Sequence, residues 1–219
     1  MTKIPVYFVP GLAASSDIFE NIKLPDDTFE TFLLEWFVPS PNESLTHYAK
    51  RMAAEIHHEE PVLIGVSFGG IIVQEMAKLL PVRKVIIISS AKCNAEFPYR
   101  MRLAKTLGLY KILPTSLIRQ VDRIAKMPLG TLIGKRVKLY NRFLAMRDQQ
   151  YLDWAIKNII LWDRKVPDKK VIHIHGDNDL IFPARYLKNY ISVKGGTHIM
   201  ILNKFKWLNE NLPKIILND

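Results

Sequence analysis

Apolar residues follow two rhythms along this chain. Residues 4–9, 61–66, 84–89 and 170–175 form short, nearly unbroken apolar runs, several of them bounded by Pro, Gly or Ser. Runs of that length and texture are how strands buried on both faces of a parallel sheet read. Residues 32–36 and 191–194 are shorter versions of the same pattern. Between the runs, apolar positions recur three or four apart. Leu45, Tyr48, Met52 and Ile56 follow Ser44, which suits a capped helix over residues 45–57. A second helical run ends at Leu80 before Pro81, a short one fits residues 15–22, another fits residues 183–190, and an amphipathic helix begins near Ile199. Six strands with helices between them predict an α/β architecture, its mainly parallel sheet covered on both faces.

The middle of the chain breaks this alternation. Residues 99–113, 116–127, 135–147 and 151–162 mix apolar and basic residues at helical spacing, with breaks at Pro114, Pro128 and Gly130, and predict three or four helices and no strand. Charge marks the same region. The whole chain of 219 residues carries a formal net charge of +10, yet residues 91–165 hold 16 basic and 5 acidic residues, which leaves 15 and 16 elsewhere. The excess therefore belongs to an insertion between two neutral halves, residues 1–90 and 166–219. No nucleic-acid recognition motif accompanies the basic residues, so nucleic acid is not the expected partner. An anionic acyl substrate drawn in by the field, or an anionic membrane touched peripherally, fits better, beside the simpler reading of a solvated outer face. The chain opens without a signal-peptide core, contains no apolar run of membrane-spanning length, and has a lone Cys93, all of which predict a cytoplasmic protein.

The sharpest chemical signal is Gly65-Val66-Ser67-Phe68-Gly69-Gly70, between a buried strand and a helix. This is the context of a G-x-S-x-G nucleophile elbow: the serine sits on a strained turn, and glycines two residues to either side let backbone pass close. The helix N-terminus beneath the serine favours negative charge on a substrate oxygen. A serine alcohol needs a base, and the base an orienting acid. Asp177 and Asp179 follow the penultimate strand and His198 follows the last, all where ligands bind in open α/β sheets. Val9-Pro10-Gly11-Leu12-Ala13 follows the first strand and can turn a backbone N–H toward the same oxygen to act with that of Phe68; Leu12 is the first choice of donor and Ala13 the second. Ala13, Cys93 and Met200 are candidates for lining the substrate pocket. His57-His58-Glu59-Glu60 lacks metal-ligand spacing and reads as a solvated helix end, so neither metal nor cofactor is expected.

With these motifs the chain resembles the α/β-hydrolase superfamily, in its serine-nucleophile esterase and lipase-like branch, over residues 4–90 and 166–219. The resemblance implies Ser67 as nucleophile, His198 as base and, as the aspartate four residues before Pro183, Asp179 as acid, with Asp177 bonding its own loop. It also implies a minimal six-stranded core beginning at the third strand of the full fold, with residues 91–165 as a helical cap. One departure stands out: the usual His-Gly before the oxyanion donor is Pro10-Gly11. The expected activity is hydrolysis of a carboxylic ester or thioester of a small-molecule acyl substrate. C–C bond hydrolysis or acyl transfer on the same triad, and a non-catalytic small-molecule receptor, are the alternatives.

Overall fold

In the computed structural model, which describes residues 2–108 and 142–218, side-chain alternation along the strands decides the architecture. The strands are β1 (Ile4–Val9), β2 (Phe29–Leu33), β3 (Val62–Val66), β4 (Lys84–Ile88), β5 (Val171–Gly176) and β6 (Ile191–Val193). They form one sheet in the order β2-β1-β3-β4-β5-β6, with every pair parallel. Successive strand residues face opposite sides. Tyr7, Val9, Leu63, Val85 and Ile87 join one hydrophobic core, while Val6, Phe8, Ile64, Ile86 and Ile88 join a second. Helices α1 (Leu45–Ala53), α2 (Phe68–Met76) and α4 (Gln149–Leu161) cover the first face. A 3₁₀ turn at Ser16–Phe19, helix α5 (Met200–Asn203) and helix α6 (Phe205–Leu217) cover the second. Helix α3 (Tyr99–Thr106) lies between β4 and α4 in the chain. Among the described residues, no helix is long and apolar enough to cross a membrane.

Several boundaries depart from the sequence reading, each because a distant partner takes the backbone. The second strand lies at Phe29–Leu33 rather than residues 32–36, since pairing of Ile4 with Phe29 through Phe8 with Leu33 sets its register. This leaves Trp36 beyond the sheet edge, folded inward and buried. Helix α1 stops at Ala53, short of residue 57, and the chain turns so that the His57 N–H donates to Tyr7 Oη at 3.3 Å, with His58 Nδ1 2.7 Å from the same oxygen. The helix expected over residues 183–190 is only a 3₁₀ turn at Ala184–Tyr186. Its backbone is claimed from outside: Glu96 Oε1 accepts the Lys188 N–H at 3.4 Å, and Lys92 Nζ donates to the Asn189 carbonyl at 2.9 Å.

Of the four helices expected in the insertion, those at residues 99–113 and 151–162 correspond to α3 and α4. Residues 109–113 of the first, the one at residues 116–127, and that at 135–147 up to residue 141, lie outside the described residues. Asp148 caps α4 by accepting the Tyr151 N–H at 2.9 Å. Tyr151, Leu152, Trp154 and Ala155 are buried in the same core as the sheet. The indole N–H groups of Trp154 and Trp162 donate to the Glu43 carbonyl and to Glu75 Oε1, at 2.7 and 3.0 Å. Segment 143–146 is sewn to the loop after β1: Ser15 N–H donates to the Phe143 carbonyl at 2.8 Å, Met146 N–H to the Ala13 carbonyl at 3.1 Å, and Ala14 bridges Leu144.

Candidate active site

The turn between β3 and α2 explains its glycines. Ser67 sits at φ 53°, ψ −115°, a conformation that costs a non-glycine residue about 1–3 kcal/mol and persists only where its surroundings enforce it. Enforcement comes from close backbone passage. A Cβ on Gly65 would lie 2.2 Å from the Gly69 carbonyl oxygen, and one on Gly69 would lie 2.4 Å from the carbonyl oxygens of Val9 and Pro10. Ser67 N–H donates to the Ile88 carbonyl at 2.9 Å, and Ser90 Oγ donates to the Ser67 carbonyl at 2.7 Å. The side chain is thereby held at the C-terminal edge of the sheet.

The loops after β5 and β6 meet at a second glycine contact, since a Cβ on Gly176 would lie 2.3 Å from the Gly196 carbonyl. Asn178 N–H donates to the Gly196 carbonyl at 2.9 Å, and Asp177 Oδ1 accepts the Gly195 N–H at 2.7 Å. Asp177 thus spends its carboxylate on the loop. Two residues on, Asp179 is 2% exposed and faces the other way. Its Oδ1 accepts the N–H groups of Ile181 and Phe182 at 2.7 and 3.0 Å, and its Oδ2 lies 2.8 Å from His198 Nδ1. Burial alone would push this carboxyl up, but the hydrogen bond and charge of His198, with help from Phe182 N–H and His175, hold it below its ordinary range. On the far side of the ring, His198 Nε2 lies 3.0 Å from Ser67 Oγ. A carboxylate can only accept, so Nδ1 carries the proton and Nε2 presents its lone pair to the hydroxyl.

Two histidines of β5 extend this line. His175 Nε2 lies 2.8 Å from the Phe182 carbonyl and 3.5 Å from Asp179 Oδ2, and its Nδ1 lies 3.1 Å from His173 Nε2. The carbonyl fixes the proton of His175 on Nε2, so its Nδ1 accepts from His173. Burial holds both imidazoles below their ordinary value of 6.5; for His173 the neighbouring His175 and Lys92 add to this, and for His175 the attraction of Asp179 is outweighed. Since the unfolded chain then binds more protons than the folded one below pH 6.5, stability is retained above that pH and lost as the pH falls. Each histidine contributes a slope of up to about 1.4 kcal/mol per pH unit. Melting temperature should therefore fall between pH 7 and pH 5, and should fall less in a His173→Gln, His175→Gln double variant; equal slopes would refute the assignment.

Above Ser67 lies a cavity of about 370 Å³. Among the described residues its walls are Gly11, Leu12, Ala14, Ile18, Val66, Met101, Phe143, Leu144, Ile159, Ile181, Phe182, Ile199, Ile201 and Leu202, with only Ser67 and His198 offering polar side chains. This apolar lining, drawn from seven separate stretches of the chain, is the part of the site that sequence reasoning missed. The three pocket candidates do not line it. Ala13, Cys93 and Met200 are each 3% exposed or less and are buried elsewhere. Met200 packs in the second core beside Gly196. Cys93 leads into a 3₁₀ turn away from the cavity wall. Ala13, at φ 62°, gives its N–H to Tyr151 Oη at 3.4 Å. Leu12 does face the cavity, and among the described residues neither its N–H nor that of Phe68, at the first position of α2, meets an acceptor.

No protein-family profile matches the chain, and neither does any curated protein. Solved structures do. An esterase from Thermogutta terrifontis superposes with a TM-score of 0.69 at 11% identity, over 98% of this chain and 90% of that one. An esterase from Exiguobacterium antarcticum gives 0.68 at 16% identity, over 99% and 93%. A bromoperoxidase from Bacillus anthracis gives 0.67 at 17% identity, over 100% and 93%. The fold of this chain is the α/β-hydrolase fold.

Proposed function

We propose that this α/β-hydrolase fold works as a serine hydrolase, cleaving an uncharged carboxylic ester with an apolar acyl group through an acyl-enzyme intermediate. The observation that carries the reading is the contact line Ser67 Oγ, His198 and Asp179, at 3.0 and 2.8 Å, at the foot of an apolar cavity. Ser67 Oγ attacks the carbonyl carbon as His198 Nε2 takes its proton, and Asp179 stabilises the imidazolium that forms. The N–H groups of Leu12 and Phe68 receive the oxyanion. Collapse of the tetrahedral intermediate expels the alcohol, which leaves with the proton from His198. Water, deprotonated by the same nitrogen, then attacks the acyl carbon and releases the acid and free Ser67.

Commitment of the Ala13 N–H to Tyr151 favours Leu12 as the first donor. The wall composition favours a neutral acyl chain, because a carboxylate in that space would be desolvated with no cation among the described lining residues. The insertion gives this lining only apolar side chains among the described residues, Met101, Phe143, Leu144 and Ile159. The test is a p-nitrophenyl ester series with increasing acyl length, paired with mass spectrometry of a fluorophosphonate adduct. Each methylene that enters the cavity is worth about 0.8 kcal/mol, so kcat/KM should rise about fourfold per carbon until the cavity is full and then fall. It should be level across ionic strength. No length dependence, or no adduct on Ser67, would overturn the reading.

A further inference from the structure

Trp36 was left beyond the sheet edge by the register of β2, and its buried position puts it between the two halves of the oxyanion site. Its indole Nε1–H donates to the Gly11 carbonyl at 2.8 Å. Its ring stacks on that of Phe68, with centroids 5.2 Å apart and planes 15° apart. The Gly11 carbonyl and the Leu12 N–H belong to one peptide unit. A trans peptide is planar, and its C=O and N–H point in opposite directions. The same carbonyl accepts the Ala14 N–H at 3.1 Å within the turn, and the shorter bond to the indole, which lies in the core, ties that turn to the core and so directs the Leu12 N–H toward the cavity that Gly11, Leu12 and Ser67 line.

The next peptide is held from the same side. The Ala13 N–H donates to Tyr151 Oη, and the Tyr151 ring lies 5.5 Å from Trp36. Ala13 needs such an anchor because its φ of 62° is not one that an L-residue adopts by preference. Trp154 meets the edge of Phe68 at 5.9 Å, which closes the cluster. Neither Trp36 nor Tyr151 lines the cavity.

We propose that Trp36 is a positioning residue for the reaction: its indole N–H fixes the plane of the Gly11–Leu12 peptide, its ring fixes Phe68, and the two oxyanion donors are thereby held in register, with Tyr151 as the second clamp. The proposal rests on the reading of Ser67 as nucleophile and of Leu12 and Phe68 as donors. Pro10 offers the loop neither an N–H nor a polar side chain, and the clamp supplies loop support from two other segments.

The test uses Trp36→Phe, which keeps an aromatic ring against Phe68 and removes the donor, and Tyr151→Phe, which removes only the acceptor. Both are assayed for kcat and KM on the best p-nitrophenyl ester and for affinity toward an alkyl trifluoromethyl ketone, which forms an anionic tetrahedral adduct with the serine. Loss of an oxyanion donor costs about 10²–10³ in kcat. A loosened donor should cost about 10- to 100-fold in Trp36→Phe and less in Tyr151→Phe, with KM within about twofold and ketone affinity falling in step with kcat. Tyr151→Phe carries the test alone should Trp36→Phe fail to fold. Unchanged kcat and ketone affinity in a folded variant would overturn the clamp while leaving the triad intact. Failure of the ketone to bind the wild-type protein in a Ser67-dependent way would overturn the underlying reading and the clamp together.

Discussion

Replacing Ser67 by alanine is expected to lower kcat for ester hydrolysis by about 10⁶-fold and to abolish fluorophosphonate labelling. The size follows from the absence of a substitute. His198 Nε2 has Ser67 Oγ as its hydrogen-bond partner among the described residues. The hydroxyl of Ser90, which packs against the elbow, is already committed to the Ser67 carbonyl. Alanine keeps the Cβ that the strained turn already accommodates, so melting temperature should change little while chemistry disappears. What survives is catalysis by the oxyanion donors and by binding alone. Labelling that persists in Ser67→Ala would place the nucleophile elsewhere.

The second large effect separates two aspartates that lie two residues apart. In Asp179→Asn, the amide oxygen is expected to stay on the Ile181 and Phe182 N–H groups, which need an acceptor. The amide NH₂ then points at His198 Nδ1 and donates to it. The imidazole must accept on Nδ1 and carry its proton on Nε2, the tautomer that cannot take a proton from Ser67. A wrong tautomer in such a triad costs about 10⁴ in kcat. Asp177→Asn still offers an oxygen to the Gly195 N–H and should stay within about twofold of wild type. Steady-state kinetics on both variants decides it, and the reverse ranking would exchange the two roles.

Legibility in the sequence followed locality. Ser67 and its flanking glycines announce themselves because the elbow is a contiguous strand-turn-helix pattern whose steric demands fall on fixed offsets. The central strands are legible because burial on both faces leaves no polar alternation to confuse them, as in β3, where all five residues are buried, whereas the half-exposed edge strand β2 is misplaced by three residues. Asp179 needed a family offset as well, since both aspartates follow the same strand and only their distant partners, His198 and Gly195, tell them apart. The helix expected at residues 183–190 failed where Glu96 and Lys92 captured its backbone. Cys93 and Met200 lie close in sequence to the site, yet their side chains turn into the core. Trp36, Tyr151 and the apolar walls gave no local sign, because each owes its place to contacts with residues far away along the chain.

The stitching of residues 143–151 to residues 13–15 bears on how such a protein could be re-engineered. Charge suggests a module, residues 91–165, that could be exchanged whole to change what reaches the serine. Tyr151, the Phe143 carbonyl and the Met146 N–H would leave with it, and the loop that carries Leu12 would lose its outer half-frame. A graft made at that boundary would exchange specificity and disable turnover in one step. A graft that ends before Arg142 would leave the half-frame in place.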